Sequence, residues 1–82
     1  MLRATIDLTP HIPVLRPFAQ AVAETCSRYS CTITLEHQNI ILNLKSMIGL
    51  LSQHFPPDGI LTLVTDGPDE APAMQAVKAL LE

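Results

Sequence analysis

The sequence predicts an open-faced α/β sandwich of the α+β kind, with element order β-α-β-β-α-β-α and a four-stranded, mainly antiparallel sheet covered on one face by three helices. Three observations lead there. Short segments alternate apolar and polar residues with a period of two, the pattern of strands that bury a single face. Between them lie stretches with apolar residues three and four apart, as on one side of a helix. Clusters of Pro, Gly and Asp separate the two kinds of segment.

The first strand runs from Leu2 to Leu8, with Leu2, Ala4, Ile6 and Leu8 on one face and Arg3, Thr5 and Asp7 toward water. Thr9-Pro10 breaks it. After Pro13 a helix is expected from about Leu15 to Arg28, with Phe18, Ala21, Val22 and Thr25 as its apolar stripe and Pro17 in the first turn, where no amide partner is needed. Cys31 to Leu35 alternates again, and His37-Gln38-Asn39 turns it into Ile40-Ile41-Leu42 as a hairpin. Ser46 is placed to cap a short helix from Met47 to about Gln53, ending near the turn-forming run Pro56-Pro57-Asp58-Gly59. A fourth strand, Ile60 to Thr65, leads through Gly67-Pro68 to Asp69, the expected cap of a last helix. That helix takes Pro72 in its first turn and buries Ala73, Met74, Val77, Leu80 and Leu81.

With 82 residues, the chain buries only about 60% of its unfolded surface, enough for one core, so a single domain over residues 1–82 is expected. A hydrophobic share of 48% against 16% charged residues is too apolar for a disordered chain, and no apolar run reaches membrane length. The opening MLRATIDLTP alternates instead of forming the apolar block of a secretory signal, so the expected location is the cytoplasm. A net charge of −3, with Asp58, Asp66, Asp69, Glu70 and Glu82 gathered toward the C-terminal half, argues against direct binding to nucleic acid. Cys26 and Cys31 lack the CxxC or Cys/His clustering of a metal or redox site and read as reduced structural thiols.

Three stretches resemble the HPr family, the small phosphocarrier proteins of the bacterial phosphoenolpyruvate-dependent sugar phosphotransferase system. LRPFAQAV parallels the family's H-A-R-P-A at the start of the first helix, and LNLKSMIGLLS parallels its V-N-A-K-S-I/L-M-G motif, the most specific of the three. ILTLVTDGPDEAPAMQAVKALLE parallels the family's C-terminal strand and helix. Together they span nearly the whole chain and imply the HPr-like open-faced sandwich.

In that family the histidine two residues before the Arg-Pro takes a phosphoryl group from enzyme I and passes it to sugar-specific components, with the arginine and the helix N-terminus stabilising the anion. The matching residue here is Val14, which has no lone pair to attack phosphorus. Ile12 stands where the family has glycine, and Pro13 where it has an aliphatic residue. His11 is the alternative candidate acceptor, between the stiffening Pro10 and Pro13; its plain reading is an exposed loop histidine. His37 in the hairpin turn and His54 at the end of the short helix are more remote, and no two of these histidines have metal-ligand spacing. No catalytic residue, metal or cofactor is expected. Arg16 and Lys45 are the candidate anion or partner contacts, although Ala19, Gln20 and Ala23 along the Arg16 face leave the basic patch thin.

Lys45-Ser46-Met47-Ile48-Gly49 matches the family at a second site. In Firmicute-type members an ATP-dependent HPr kinase/phosphorylase phosphorylates the matching serine, and a phosphate at a helix N-cap meets free amides and the positive end of the dipole. Ser46 acting only as a cap is the alternative. Met47, Ile48 and Leu51 are expected on the outer side of this helix as a docking patch, with Leu50 inward. The combination is similar to the catabolite-repression HPr-like proteins. It implies a non-enzymatic regulatory module whose partners are HPr kinase/phosphorylase, a catabolite-control repressor or enzyme I. Against it stand a phosphocarrier working through a non-standard acceptor, His11 or another residue, and a diverged domain kept as a subunit or scaffold.

Overall fold

Among the described residues one ladder joins strands consecutive in the chain, the hairpin expected from the sequence, and the other two join strands distant in sequence. The computed structural model describes residues 1–11, 14–38, 40–52 and 58–82. Its elements are β1 (Leu2–Asp7), α1 (Arg16–Ser27), β2 (Thr32–His37), β3 (Ile40–Asn43), α2 (Met47–Ser52), β4 (Ile60–Asp66) and α3 (Glu70–Leu81), with a 3-10 turn at Thr9–His11. The strands line up as β1-β4-β2-β3, and each neighbouring pair is antiparallel. This is the open-faced sandwich the sequence predicts, with three helices on one face of a four-stranded sheet.

β4 is internal, so its Leu63 stands opposite Ala4 of β1 on one side and Leu35 of β2 on the other. Alternation sends Ile6, Ile33, Leu35, Leu42, Leu61 and Leu63 into the core beneath the helices. α1 meets them with Ala19, Val22 and Cys26, α2 with Leu50, and α3 with Ala73, Val77 and Leu81. The polar Thr65 is buried among them without penalty, because its hydroxyl donates to the Glu70 carbonyl at 3.0 Å. Both cysteines are buried and free; burial pushes the Cys26 thiol up to about 12, so it stays protonated and packs as a small hydrophobe. Among the described residues no helix is long and apolar enough to cross a membrane.

Several local expectations are corrected. β1 stops at Asp7, and Leu8, though buried, leaves the ladder to donate its N–H to the Gly59 carbonyl at 2.8 Å. Leu2, expected in the core, is exposed at the start of β1, and Ala4 is only half-buried, whereas Ile6 on the same strand is buried. The stripe of α1 runs through Ala19, Val22 and Cys26, not through Ala21 and Thr25, which are only half-buried. β2 begins at Thr32 and continues to His37, so His37 is a strand residue and the turn falls at Gln38, whose φ of 50° is left-handed. α2 ends at Ser52; Gln53 and the Pro56-Pro57 turn lie outside the described residues.

The expected Asp69 cap is also corrected. Asp69 occupies the N-cap position of α3, yet makes no side-chain cap. Its carboxylate instead accepts the N–H groups of Ser30 at 2.7 Å and Cys31 at 2.9 Å, two donors on the approach to β2 just before its ladder begins at Thr32. A carboxylate satisfying two such donors at once secures more than one local cap bond would. The Ser30 and Cys31 hydrogen bonds hold the Asp69 carboxyl below its ordinary value. A folded-state value below the unfolded one stabilises the fold above the unfolded carboxylate range, and that contribution is lost as pH falls through about 4 and below. Urea unfolding at pH 7 and at pH 3 should therefore show Asp69→Asn less stable than the parent at pH 7, with the gap narrowing at pH 3.

Gly67 closes the same junction, with φ of 149°, where an added β-carbon would lie 2.7 Å from Cys31 Cα. Gly67→Ala should cost about 2–4 kcal/mol through backbone strain plus overpacking, measured as a lower denaturant midpoint with unchanged slope.

Candidate functional site

The residues singled out in the sequence fall at two places. The first is the start of α1. Leu15 is its N-cap, extended and without a side-chain cap, and Arg16 and Pro17 fill the first turn. Arg16 is exposed and makes no ion pair among the described residues. A cation at the positive end of a helix dipole is favoured only when an anion joins it, so this is a place that can accept one. Ala19, counted along the Arg16 face from sequence, is instead fully buried.

Val14 precedes this turn and packs, half-buried, against the hydrophobic core. A hydrocarbon side chain thus occupies the position two residues before Arg16. His11 is not the exposed loop histidine expected of it: its ring stacks on Phe18 with centroids 4.1 Å apart and planes 6° from parallel. The turn beneath it is set by the His11 N–H donating to the Leu8 carbonyl at 2.8 Å. Phe18 therefore brings an imidazole to the first turns of α1. Sequence reading treated Phe18 as core alone, and no spacing signal links it to His11, which lies before the helix begins.

The second place is the start of α2. Ser46 is the expected cap, its Oγ accepting the Gly49 N–H at 3.2 Å and its carbonyl the Leu50 N–H at 3.3 Å. A β-carbon at Gly49 would press on Leu42 at 3.3 Å but only touch the capping hydroxyl at 3.5 Å, so the glycine serves the packing of α2 on β3. Leu50 is buried while Ile48 is 76% and Leu51 38% exposed, as the helical spacing predicts. Met47 departs from the expectation, being half-buried against the core. The outer patch on this helix is Ile48 and Leu51, with Met47 at its base.

Lys45 points elsewhere than toward an open anion site. Its ammonium donates to the Tyr29 carbonyl at 2.7 Å, just past the C-terminal end of α1, where a cation suits the dipole. Its own N–H donates to the Asn43 side chain at 2.9 Å, shaping the turn before Ser46. His37, at the far end of β2, lines a depression of about 340 Å³ on the helix-free face with Thr5, Glu36 and Asp58. His54 lies outside the described residues. Among the described residues no group of three His, Cys, Asp or Glu side chains converges to hold a metal.

This geometry sets an exposed arginine in the first turn of α1 and a capping serine beside an apolar patch at the start of α2. The family described as the PTS HPr component phosphorylation site matches residues 15–82, and the chain belongs to that HPr family. The matched stretch begins one residue after Val14 and contains Arg16, Lys45 and Ser46. The chain is similar to the HPr-like protein Crh of Halalkalibacterium halodurans, with 37% identity over 67 residues, 82% of this chain and 79% of that one. In structure it is similar to HPr-C-His from Thermoanaerobacter tengcongensis (TM-score 0.80, 28% identity, 99% of this chain and 91% of that one). It is also similar to the Bacillus subtilis catabolite-repression protein Crh, solved as an intertwined, swapped dimer (TM-score 0.76, 25% identity, 83% and 78% of the two chains).

The cap has a direct consequence. Ser46→Ala should lower stability by about 1 kcal/mol, whereas Ser46→Asp, which keeps an acceptor at the N-cap, should stay within about 0.5 kcal/mol of the parent, both read from urea unfolding.

Proposed function

We propose that the chain is a non-catalytic regulatory module of the phosphotransferase system, modified on Ser46 and read by a protein partner through Ile48 and Leu51. The observation that carries this is Val14. Counted back from the Arg16-Pro17 pair, the resemblance puts Val14 where the family has its phosphoryl-accepting histidine, and an isopropyl group supplies neither nucleophile nor proton acceptor. The start of α2 supports the other half of the reading: a capping hydroxyl with exposed apolar side chains one helical turn beyond it. Likeness to two Crh proteins points the same way. By that analogy the partners are HPr kinase/phosphorylase and a catabolite-control repressor, with the cytoplasm as the place of action. Arg16 is the residue left to contact an anion on a partner such as enzyme I.

A second reading has one observation in its favour. Stacking on Phe18 holds His11 against α1, so a phosphoryl group on its imidazole would sit near the helix start.

Intact-mass measurement after two incubations separates the readings. With HPr kinase and ATP, the proposal expects one acid-stable phosphate that is absent from Ser46→Ala. Ile48→Asp with Leu51→Asp should then weaken repressor binding by tenfold or more without removing the phosphate. With enzyme I and phosphoenolpyruvate it expects no adduct; an acid-labile phosphate lost in His11→Gln would install the carrier reading in its place. Failure of both reactions would leave a domain that serves only as scaffold.

A further inference from the structure

We propose that Lys45 is the phosphate-binding residue for a phosphorylated Ser46, and that it becomes so by changing partners: its ammonium leaves the Tyr29 carbonyl and closes on the phosphate one residue away. The proposal rests on the reading of Ser46 as the modified residue.

The unmodified arrangement is unusual in what it joins. The Tyr29 carbonyl and the Ser30 N–H are the two ends of one peptide group. Lys45 donates to its oxygen at 2.7 Å, and the Asp69 carboxylate accepts from its nitrogen at 2.7 Å. A cation on the oxygen and an anion on the N–H polarise the same amide in the same sense, so each bond strengthens the other. The neighbouring amides of Arg28 and Tyr29 bond locally, to the Thr25 and Cys26 carbonyls, while Cys31 N–H shares the Asp69 carboxylate. Lys45 is thus the side chain that ties the turn before α2 to the junction of α1, β2 and α3.

Phosphorylation changes the competition for that ammonium. Tyr29 offers a neutral oxygen, and Lys45 has no carboxylate partner among the described ion pairs. A phosphoserine places close to two negative charges and three acceptor oxygens on the adjacent residue. Neighbouring α-carbons are about 3.8 Å apart, and the lysine stem is long and freely rotating, so the ammonium reaches the phosphate without moving the backbone. Coulomb attraction to a dianion then exceeds what a neutral carbonyl supplies. Once Lys45 departs, the Tyr29–Ser30 peptide loses its polarising cation and the Ser30 N–H bond to Asp69 weakens. Modification at α2 is felt at the cap of α3.

The test uses the full chain with phosphoserine placed at position 46 during synthesis, so it runs whether or not any kinase modifies Ser46. In proton–nitrogen spectra the Ser30 amide proton should move upfield on phosphorylation, alongside the local changes at Ile48 and Gly49 that any phosphate would cause. In phosphorus-31 titrations the second phosphate pKa should lie about one unit lower in the parent than in Lys45→Met, with Lys45→Arg restoring the parent value. A Ser30 resonance that stays put, or phosphorus curves that superimpose for the parent and Lys45→Met, overturns the proposal. If Lys45→Met does not fold, the Ser30 comparison between unmodified and phosphoserine chains decides alone.

Discussion

β4 has to be bonded along both edges, and the rest of the molecule is arranged around that requirement. It is the last strand in sequence, yet β1 and β2 flank it in register from Leu2↔Thr65 to Thr32↔Asp66. β1 and β2 therefore run parallel to one another with β4 between them, and β3 and β4 run parallel with β2 between them. Each helix that bridges such a pair returns along the covered face, and because β1 and β3 point in opposite directions, α1 and α2 do too. The start of α2 then lies at the end of the sheet where α1 finishes. That is why Lys45, the residue before Ser46, finds Tyr29 and not Arg16.

The corner where these elements meet concentrates the polar bonding of the fold. Asp69 gives up its own cap to bind Ser30 and Cys31, Gly67 passes close enough to Cys31 to exclude a β-carbon, and Thr65 reaches the Glu70 carbonyl. Lys45 also lies near enough to favour the thiolate of Cys26, but burial outweighs it and the thiol stays high. The two cysteines therefore contribute packing at this corner. The ammonium there is only part-buried and is held by a neutral carbonyl oxygen.

How much of this could be read from the chain follows from the range over which each signal acts. The strands at Leu2 to Leu8 and Ile60 to Thr65, the Ser46 cap and the inward Leu50 depend on neighbours within one turn or one strand, and each is legible, whereas the expected α3 stripe of Ala73, Met74, Val77, Leu80 and Leu81 is fully buried only at Ala73, Val77 and Leu81. The choice of Ala19 and Cys26 over Ala21 and Thr25 on α1 was missed although the helix is clearly amphipathic: a stripe counted from Phe18 through Ala21 and Thr25 lies to one side of the Ala19-Val22-Cys26 line that is buried. Asp69 misled for a related reason: its sequence position is that of a cap, while its partners stand 38 and 39 residues away. The strand order was equally hidden, since alternation states that a face is buried but not which strand lies beside it. At the candidate site, Ser46 and Val14 were legible as residue types in a pattern, whereas the His11–Phe18 stack and the Lys45–Tyr29 bond are contacts made only by the folded chain.

The antiparallel placement of α1 and α2 also separates the two candidate sites. α1 has 12 residues and so spans about 18 Å, roughly two Debye lengths at physiological ionic strength. Charge added at Ser46 is therefore largely screened before it reaches Arg16, and the two helix starts cannot regulate one another through the field alone. Contact has to carry any coupling between them. α2 is suited to this because its six residues cover only about 9 Å, running from the Ser46 end toward the start of α1 with Ile48 and then Leu51 exposed along the way. Leu15, 64% exposed at the N-cap of α1, belongs to that same end of the sheet. A partner that rests on Ile48 and Leu51 thus extends from the serine toward Leu15 and Arg16, and because α2 covers only about half of the roughly 18 Å between the two starts, it meets both only if it reaches past the end of α2.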